Sequence, residues 1–110
     1  MTMRVAERSA KVQFLAPHKE DDGYRRATTF EPVGRVIWCK HIPVSDGEKW
    51  RNGQVTASQM SRFQCLAWGI ASKVTPQHRL RFRGKDYEIL GVKDIGDGRR
   101  YLEITAVAKV

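Results

Sequence analysis

Residues 78–92 read HRLRFRGKDYEILGV, in which polar and apolar side chains alternate on both sides of a glycine. Alternation with a period of two is typical of β-strands that bury one face, so this stretch predicts strands at residues 78–83 and 86–92. Only Gly84 and Lys85 separate them, and a two-residue connection predicts a tight antiparallel hairpin. Leu80 and Phe82 would then face the core.

Four other stretches carry a β-strand pattern. The first should end at Pro17, and the second, with consecutive apolar residues from Val36 to Cys39, should be buried on both faces. Six short strands joined by turns predict an all-β, mainly antiparallel fold that closes as a small six-stranded β-barrel or sandwich. The four additional strands are expected at residues 10–16, 35–42, 60–68 and 100–107.

Two segments interrupt this pattern. Residues 17–34 hold seven charged side chains around Gly23, and we expect a long exposed loop or hairpin arm after strand 1 because these charges cannot be buried without partners. Residues 43–59 form an inserted segment. Within it, Ser45 and Glu48 have the spacing of a capping box, which predicts one short helix over residues 46–52.

The composition limits the size and class of the protein. The 110 residues carry 20 Lys and Arg against 12 Asp and Glu, a formal net charge of +8, and we expect a single domain over residues 1–110. That length excludes TIM barrels and two-domain Rossmann enzymes. No apolar stretch approaches the roughly 20 residues that span a bilayer, so no membrane partner is expected. The excess positive charge favours nucleic acid or an acidic protein as a partner.

A search for catalytic chemistry yields little. The sequence contains no phosphate-binding loop, dinucleotide fingerprint, zincin motif or nucleophile elbow. Cys39, His41, Cys65 and His78 are possible zinc ligands by type, but their spacing matches no known zinc loop, and a reduced cysteine pair in buried strands is expected instead. We therefore predict no enzyme, no cofactor and no metal site.

Basic residues occupy every second position of the strand-forming stretch. Arg79, Arg81 and Arg83 should share one face of the strand, with Lys85 in the turn beyond. Such a row could contact DNA phosphates or an acidic partner, and it could equally be a solvated outer face whose charges oppose aggregation.

Aromatic residues in the charged arm and the inserted helix form a second group. Tyr24 and Phe30 lie in the arm, and Trp50 lies on the predicted helix. Aromatic residues on surface elements are common interface anchors, although these three could also fold back over the end of the barrel.

The order of these elements resembles the small head-tail joining proteins, also called head-closure or head-tail adaptor proteins, of long-tailed bacteriophages and prophages. The resemblance extends from about residue 8 to 107 and is strongest between Thr75 and Leu90. Its other parts are the arm with Asp21-Asp22-Gly23, the Trp38-bearing strand and the Gly47-Glu48-Lys49 stretch.

The resemblance implies a non-catalytic ring subunit that closes the DNA-filled head beneath the portal and docks the tail. It implies contacts with further copies of itself, with portal or adaptor and tail proteins, and non-specific contact with packaged DNA. The location would be the head-tail junction of the virion, after assembly in the bacterial cytoplasm. The residues it assigns to the subunit interface are Asp21, Asp22, Tyr24, Phe30, Glu48 and Trp50.

A second function stays open at this point. A small basic β-barrel could bind nucleic acid through Arg79, Arg81 and Arg83, with Trp38 or Tyr87 stacking on bases.

Overall fold

A computed structural model describes residues 9–21, 23, 26–44, 58–96 and 100–109 of the chain. Six antiparallel strands, in the order β1-β2-β3-β6-β5-β4, close into a barrel through pairing of β1 with β4. The prediction of an all-β, six-stranded fold is thereby confirmed. The elements are β1 Ala10–Asp21, β2 Arg26–Pro43, β3 Ser58–Leu66, a 3₁₀ helix at Gly69–Lys73, β4 Arg79–Phe82, β5 Lys85–Ile95 and β6 Tyr101–Lys109.

The interior of the barrel is filled by the apolar members of each alternating strand. Phe63, Phe82 and Tyr87 contact one another edge-on or tilted, with ring centroids 5.3–6.4 Å apart. Leu80 is fully buried and Phe82 is 5% exposed, as the alternation predicts. Burying side chains of this size contributes about 1.5–3 kcal/mol each, so this cluster supplies much of the stability of the barrel.

The hairpin turn lies one residue earlier than predicted. Phe82 pairs with Lys85, which leaves Arg83 and Gly84 as the connection. Both have positive φ, 53° and 75°, as a type I′ turn requires. Arg83 therefore lies in the turn and Lys85 begins β5, the reverse of their predicted positions.

The predicted arm is a two-stranded β-ribbon. β1 does not end at Pro17 but continues to Asp21, and residues 16–21 pair with residues 26–31 of β2. Within the described residues, this part of β1 pairs with no other strand, and an edge position tolerates a proline that lacks an N–H. The hairpin alternative for the segment from residue 17 is the observed one.

β2 is buried on one face only, so the expectation of two buried faces is wrong. Val36 is 46% exposed and Trp38 is 49% exposed, whereas Cys39 is fully buried. Helices do not cover the outside of an antiparallel barrel as they cover a parallel sheet, and the outward side chains of β2 reach solvent. Cys39 and Cys65 are both buried as thiols.

The 3₁₀ helix was not predicted, and it packs against β2. β2 pairs with β3 only from Lys40 to Pro43, and the helix approaches β2 where the two strands diverge. Ile70 of the helix lies directly over Gly34, where an added Cβ would be 2.7 Å from the Ile70 Cβ. Gly34 has a φ of +70°, so glycine serves both the backbone conformation and this close approach.

The predicted helix at residues 46–52 and most of the inserted segment 43–59 lie outside the described residues. Pro43 ends β2 and Ser58 begins β3. No helix in the described part of the chain is long and apolar enough to cross a membrane.

Candidate interaction surfaces

The predicted row of basic residues is divided by the hairpin register. Arg79 and Arg81 lie on the outer face of β4, as predicted, opposite Glu88 and Asp86 of β5. The Arg81 Nε donates to the Asp86 Oδ1 at 2.7 Å, and Arg79 lies 3.6 Å from the Glu88 carboxylate. Hydrogen bonding to Asp86 and its charge raise the pKa of Arg81. These two arginines therefore have carboxylate partners within their own hairpin.

Arg79 also connects the barrel to the arm. Its guanidinium lies 4.0 Å from the centre of the Phe30 ring, a cation–π contact at the base of the β-ribbon. Phe30, predicted as an interface anchor, is thus half-buried against its own chain. Asp21 is the last residue of β1 and pairs with Arg26. The other predicted interface residues, Asp22, Tyr24, Glu48 and Trp50, lie outside the described residues.

The other two members of the row, Arg83 and Lys85, lie at one end of the barrel, together with basic residues from β1 and β2. We call this the basic end and define it by Lys11, Lys40, His41, Arg83 and Lys85. It contains the start of β1, the end of β2 and the β4–β5 turn. Two adjoining clefts of about 330 and 620 Å³ open here. They share His41, Phe82 and Arg83, and no described carboxylate lines either one.

His41 lines both clefts. Its ring packs at a tilt against Phe63 and Phe82, with centroid distances of 5.1 and 4.7 Å, and its Nε2 is 2.8 Å from the Ser61 hydroxyl. Burial, and then the positive charge of Arg83, lower the pKa of His41. The charged form of His41 is therefore disfavoured, and the positive charge of the basic end comes from its lysines and Arg83.

Arg83 occupies an unusual backbone position. It is the one non-glycine residue with positive φ in the described part of the chain. Its guanidinium lies 4.9 Å from the centre of the Phe82 ring, and no described carboxylate is within ion-pair distance of it. Elsewhere on this end, Lys11 lies over the Trp38 ring at 5.2 Å, and Lys85 donates to Gln59 at 3.1 Å.

On a different part of the barrel, one carboxylate lies between two cations. The carboxylate of Glu103 on β6 lies 3.7 Å from Arg62 and 3.3 Å from Lys93, and it accepts a hydrogen bond from Gln64 at 2.8 Å. This cluster joins β3, β5 and β6. The strand register places Gln64 and Lys93 on either side of Glu103.

Comparison with protein families shows to which family the chain belongs. The family model described as phage head completion protein matches residues 3–109. The chain belongs to the phage head completion protein family. The predicted resemblance is thus confirmed, and the role of this family member is structural, in the connection between phage head and tail.

Solved structures share the fold. A chain in the virion of a native gene transfer agent particle has a TM-score of 0.67 and 20% sequence identity, and the match covers 91% of this chain and 93% of that one. The solution structure of protein SF1141 from Shigella flexneri 2a has a TM-score of 0.66 and 17% identity, with 94% and 95% covered. No functionally curated protein matches the sequence.

The remaining candidate residues of this head completion protein have clear positions. Tyr87 is 4% exposed, so it cannot stack on a nucleic-acid base, whereas Trp38 is available at the outer surface. Trp68 is 70% exposed beside Arg100, and Leu90 is 47% exposed. In the described part of the chain, no group of three or more His, Cys, Asp or Glu is placed to hold a metal ion.

Proposed function

We propose that the protein is a non-enzymatic ring subunit at the head-tail junction of a phage or prophage particle. There it closes the DNA-filled head and provides the surface to which the tail binds. The match to the phage head completion family over residues 3–109 carries this proposal. The partners are further copies of the chain, portal or adaptor proteins and tail proteins, and assembly takes place in the bacterial cytoplasm.

The β-ribbon gives this proposal a physical route to a ring. Residues 16–21 and 26–31 pair beyond the segment of β1 that contacts β4, which corresponds to an extension of about 20 Å. Its outer edges present main-chain donors and acceptors to which a neighbouring chain can add. A contact between the arm of one subunit and the barrel of the next is heterologous, and heterologous contacts that close produce rings.

The proposed subunit is monomeric before it meets the head, because a two-stranded arm alone offers little apolar area for a stable dimer. Native mass spectrometry of the isolated protein, and then of its mixture with the portal, measures this directly. We expect monomers in the sample of the isolated protein and a ring-sized complex in the mixture with the portal. Monomers in both samples would contradict it.

Complementation tests the assembly role. Particles produced without the protein should contain DNA that leaks on dilution and should lack tails, and the wild-type protein supplied in the same cells should restore both properties. A variant whose residues 16–31 are replaced by a short Asn-Gly turn keeps the β1–β4 pairing and should restore neither. Full restoration by this variant would remove the arm from the proposal.

A further inference from the structure

We propose that the basic end is a phosphate-binding site for the backbone of the packaged DNA, with Arg83 as its central contact. This inference rests on the proposed function, because a head-closing ring lies next to the DNA end. It keeps Arg83 and Lys85 from the predicted row and leaves out Arg79 and Arg81, since the site lies at the end of the barrel and not along the outer face of β4.

The backbone conformation of Arg83 supports its role as the central contact. Positive φ at the first central residue of a type I′ turn favours Asn, Asp or Gly, and an arginine there is strained. Strain of this kind is typically found at functional positions. The side chain offers no compensating ion pair within the described residues, since its one described contact is with the Phe82 ring. The turn therefore holds a guanidinium where a smaller residue would fit better.

The residues around Arg83 are also positively charged. Lys11 and Lys40 line one cleft with Arg83, and Lys85 lines the other. No described carboxylate lines either cleft, whereas Arg79 and Arg81 on the same hairpin both have one. Within the described residues, the charges of Arg83, Lys11 and Lys85 have no carboxylate partner, so they can bind an external anion.

The distribution of these cations favours DNA over a single acidic side chain. They come from β1, β2, the β4–β5 turn and β5, and they line two adjoining clefts that share Arg83. A set of cations spread over a surface matches the repeated charges of a polynucleotide backbone. His41 and Phe82, which line both clefts, are aromatic, and the charged contacts proposed here are with phosphates and not with base edges. The expected binding is independent of sequence.

The test uses the full-length protein and a fluorescently labelled random-sequence DNA duplex of about 30 base pairs, with anisotropy measured across a salt series. Arg83→Asn removes the charge and places a favoured residue in the turn. It should weaken binding by about 5- to 20-fold, reduce the log-log salt slope by about 1, and keep or raise the Tm. Arg81→Asn is the matched control, because it removes the same charge from an ion-paired position, and it should change affinity by less than about twofold.

Three results of the DNA titration would overturn the inference. These are unchanged DNA binding in Arg83→Asn, an equal loss in Arg81→Asn, and no DNA binding by the wild-type protein at about 50 mM salt. Polyglutamate that binds more tightly than DNA at equal charge would also overturn it and would assign the site to an acidic protein. Each of these outcomes can occur while the wild-type protein still restores DNA retention and tails in particles, so failure here is distinguishable from failure of the proposed function.

Discussion

Replacing Gly34 with alanine should destabilise the barrel strongly. The residue has a φ of +70°, a left-handed conformation that costs an L-residue about 1–2 kcal/mol. The added Cβ would also lie 2.7 Å from the Ile70 Cβ and 2.8 Å from its Cγ2. Overpacking of this kind costs about 1–3 kcal/mol, so the sum is about 2–5 kcal/mol of unfolding free energy. Small domains have about 5–15 kcal/mol in total, and the loss would be a large fraction.

Gly69→Ala is the matched control. Gly69 has a φ of +59°, but no atom lies within 4 Å of a Cβ built there, so alanine adds strain without a clash. Urea unfolding followed by tryptophan fluorescence should give a lower midpoint for both variants at a constant m-value. The unfolding free energy of Gly34→Ala should be lower than that of Gly69→Ala by about 1–3 kcal/mol. Equal losses in the two variants would show that Ile70 does not press on β2 and would refute the reasoning.

Three other changes test separate parts of the structure. Phe63→Ala should cost about 3–5 kcal/mol in a denaturant titration, because Phe63 is fully buried in the aromatic cluster; a loss below about 1 kcal/mol would contradict its central position. Glu103→Gln should lower the unfolding free energy by about 1–2 kcal/mol in the same titration at low salt, because it removes the charge that Arg62 and Lys93 share. An unchanged unfolding free energy would show that this cluster does not stabilise the fold. The pKa of His41 is lowered in the folded protein, so the unfolded chain binds the proton more readily, and stability should fall as the pH drops below the ordinary value of 6.5. His41→Gln should weaken that dependence between about pH 7.5 and 5.5, and an unchanged pH profile would show that another group causes it.

The strands and the core were predictable because their signal is local. The alternation of Leu80 and Phe82 with arginines determines which side chains face inward, whatever the rest of the chain does. The ion pairs of Arg79 and Arg81 were also within reach of the sequence. Once Arg83 and Gly84 form the turn, the register places Glu88 and Asp86 opposite them.

The remaining features depend on contacts between distant parts of the chain. The sequence around Pro17 allows either a loop or a hairpin arm, and the pairing with β2 makes it a β-ribbon. The need for glycine at residue 34 comes from Ile70, which is remote in sequence. The basic end likewise gathers Lys11, Lys40 and Arg83 from three separate segments, so no linear motif marks it.

The proposed function requires this protein to form the ring that closes the phage head and connects it to the tail. Cryo-electron microscopy of the head-tail junction of intact particles tests it most directly. We expect a closed ring of small β-barrels between portal and tail, into which the described residues of the chain fit, with each β-ribbon arm touching the adjacent barrel. Barrel density at another place in the virion, or a junction complete without this chain, would contradict it.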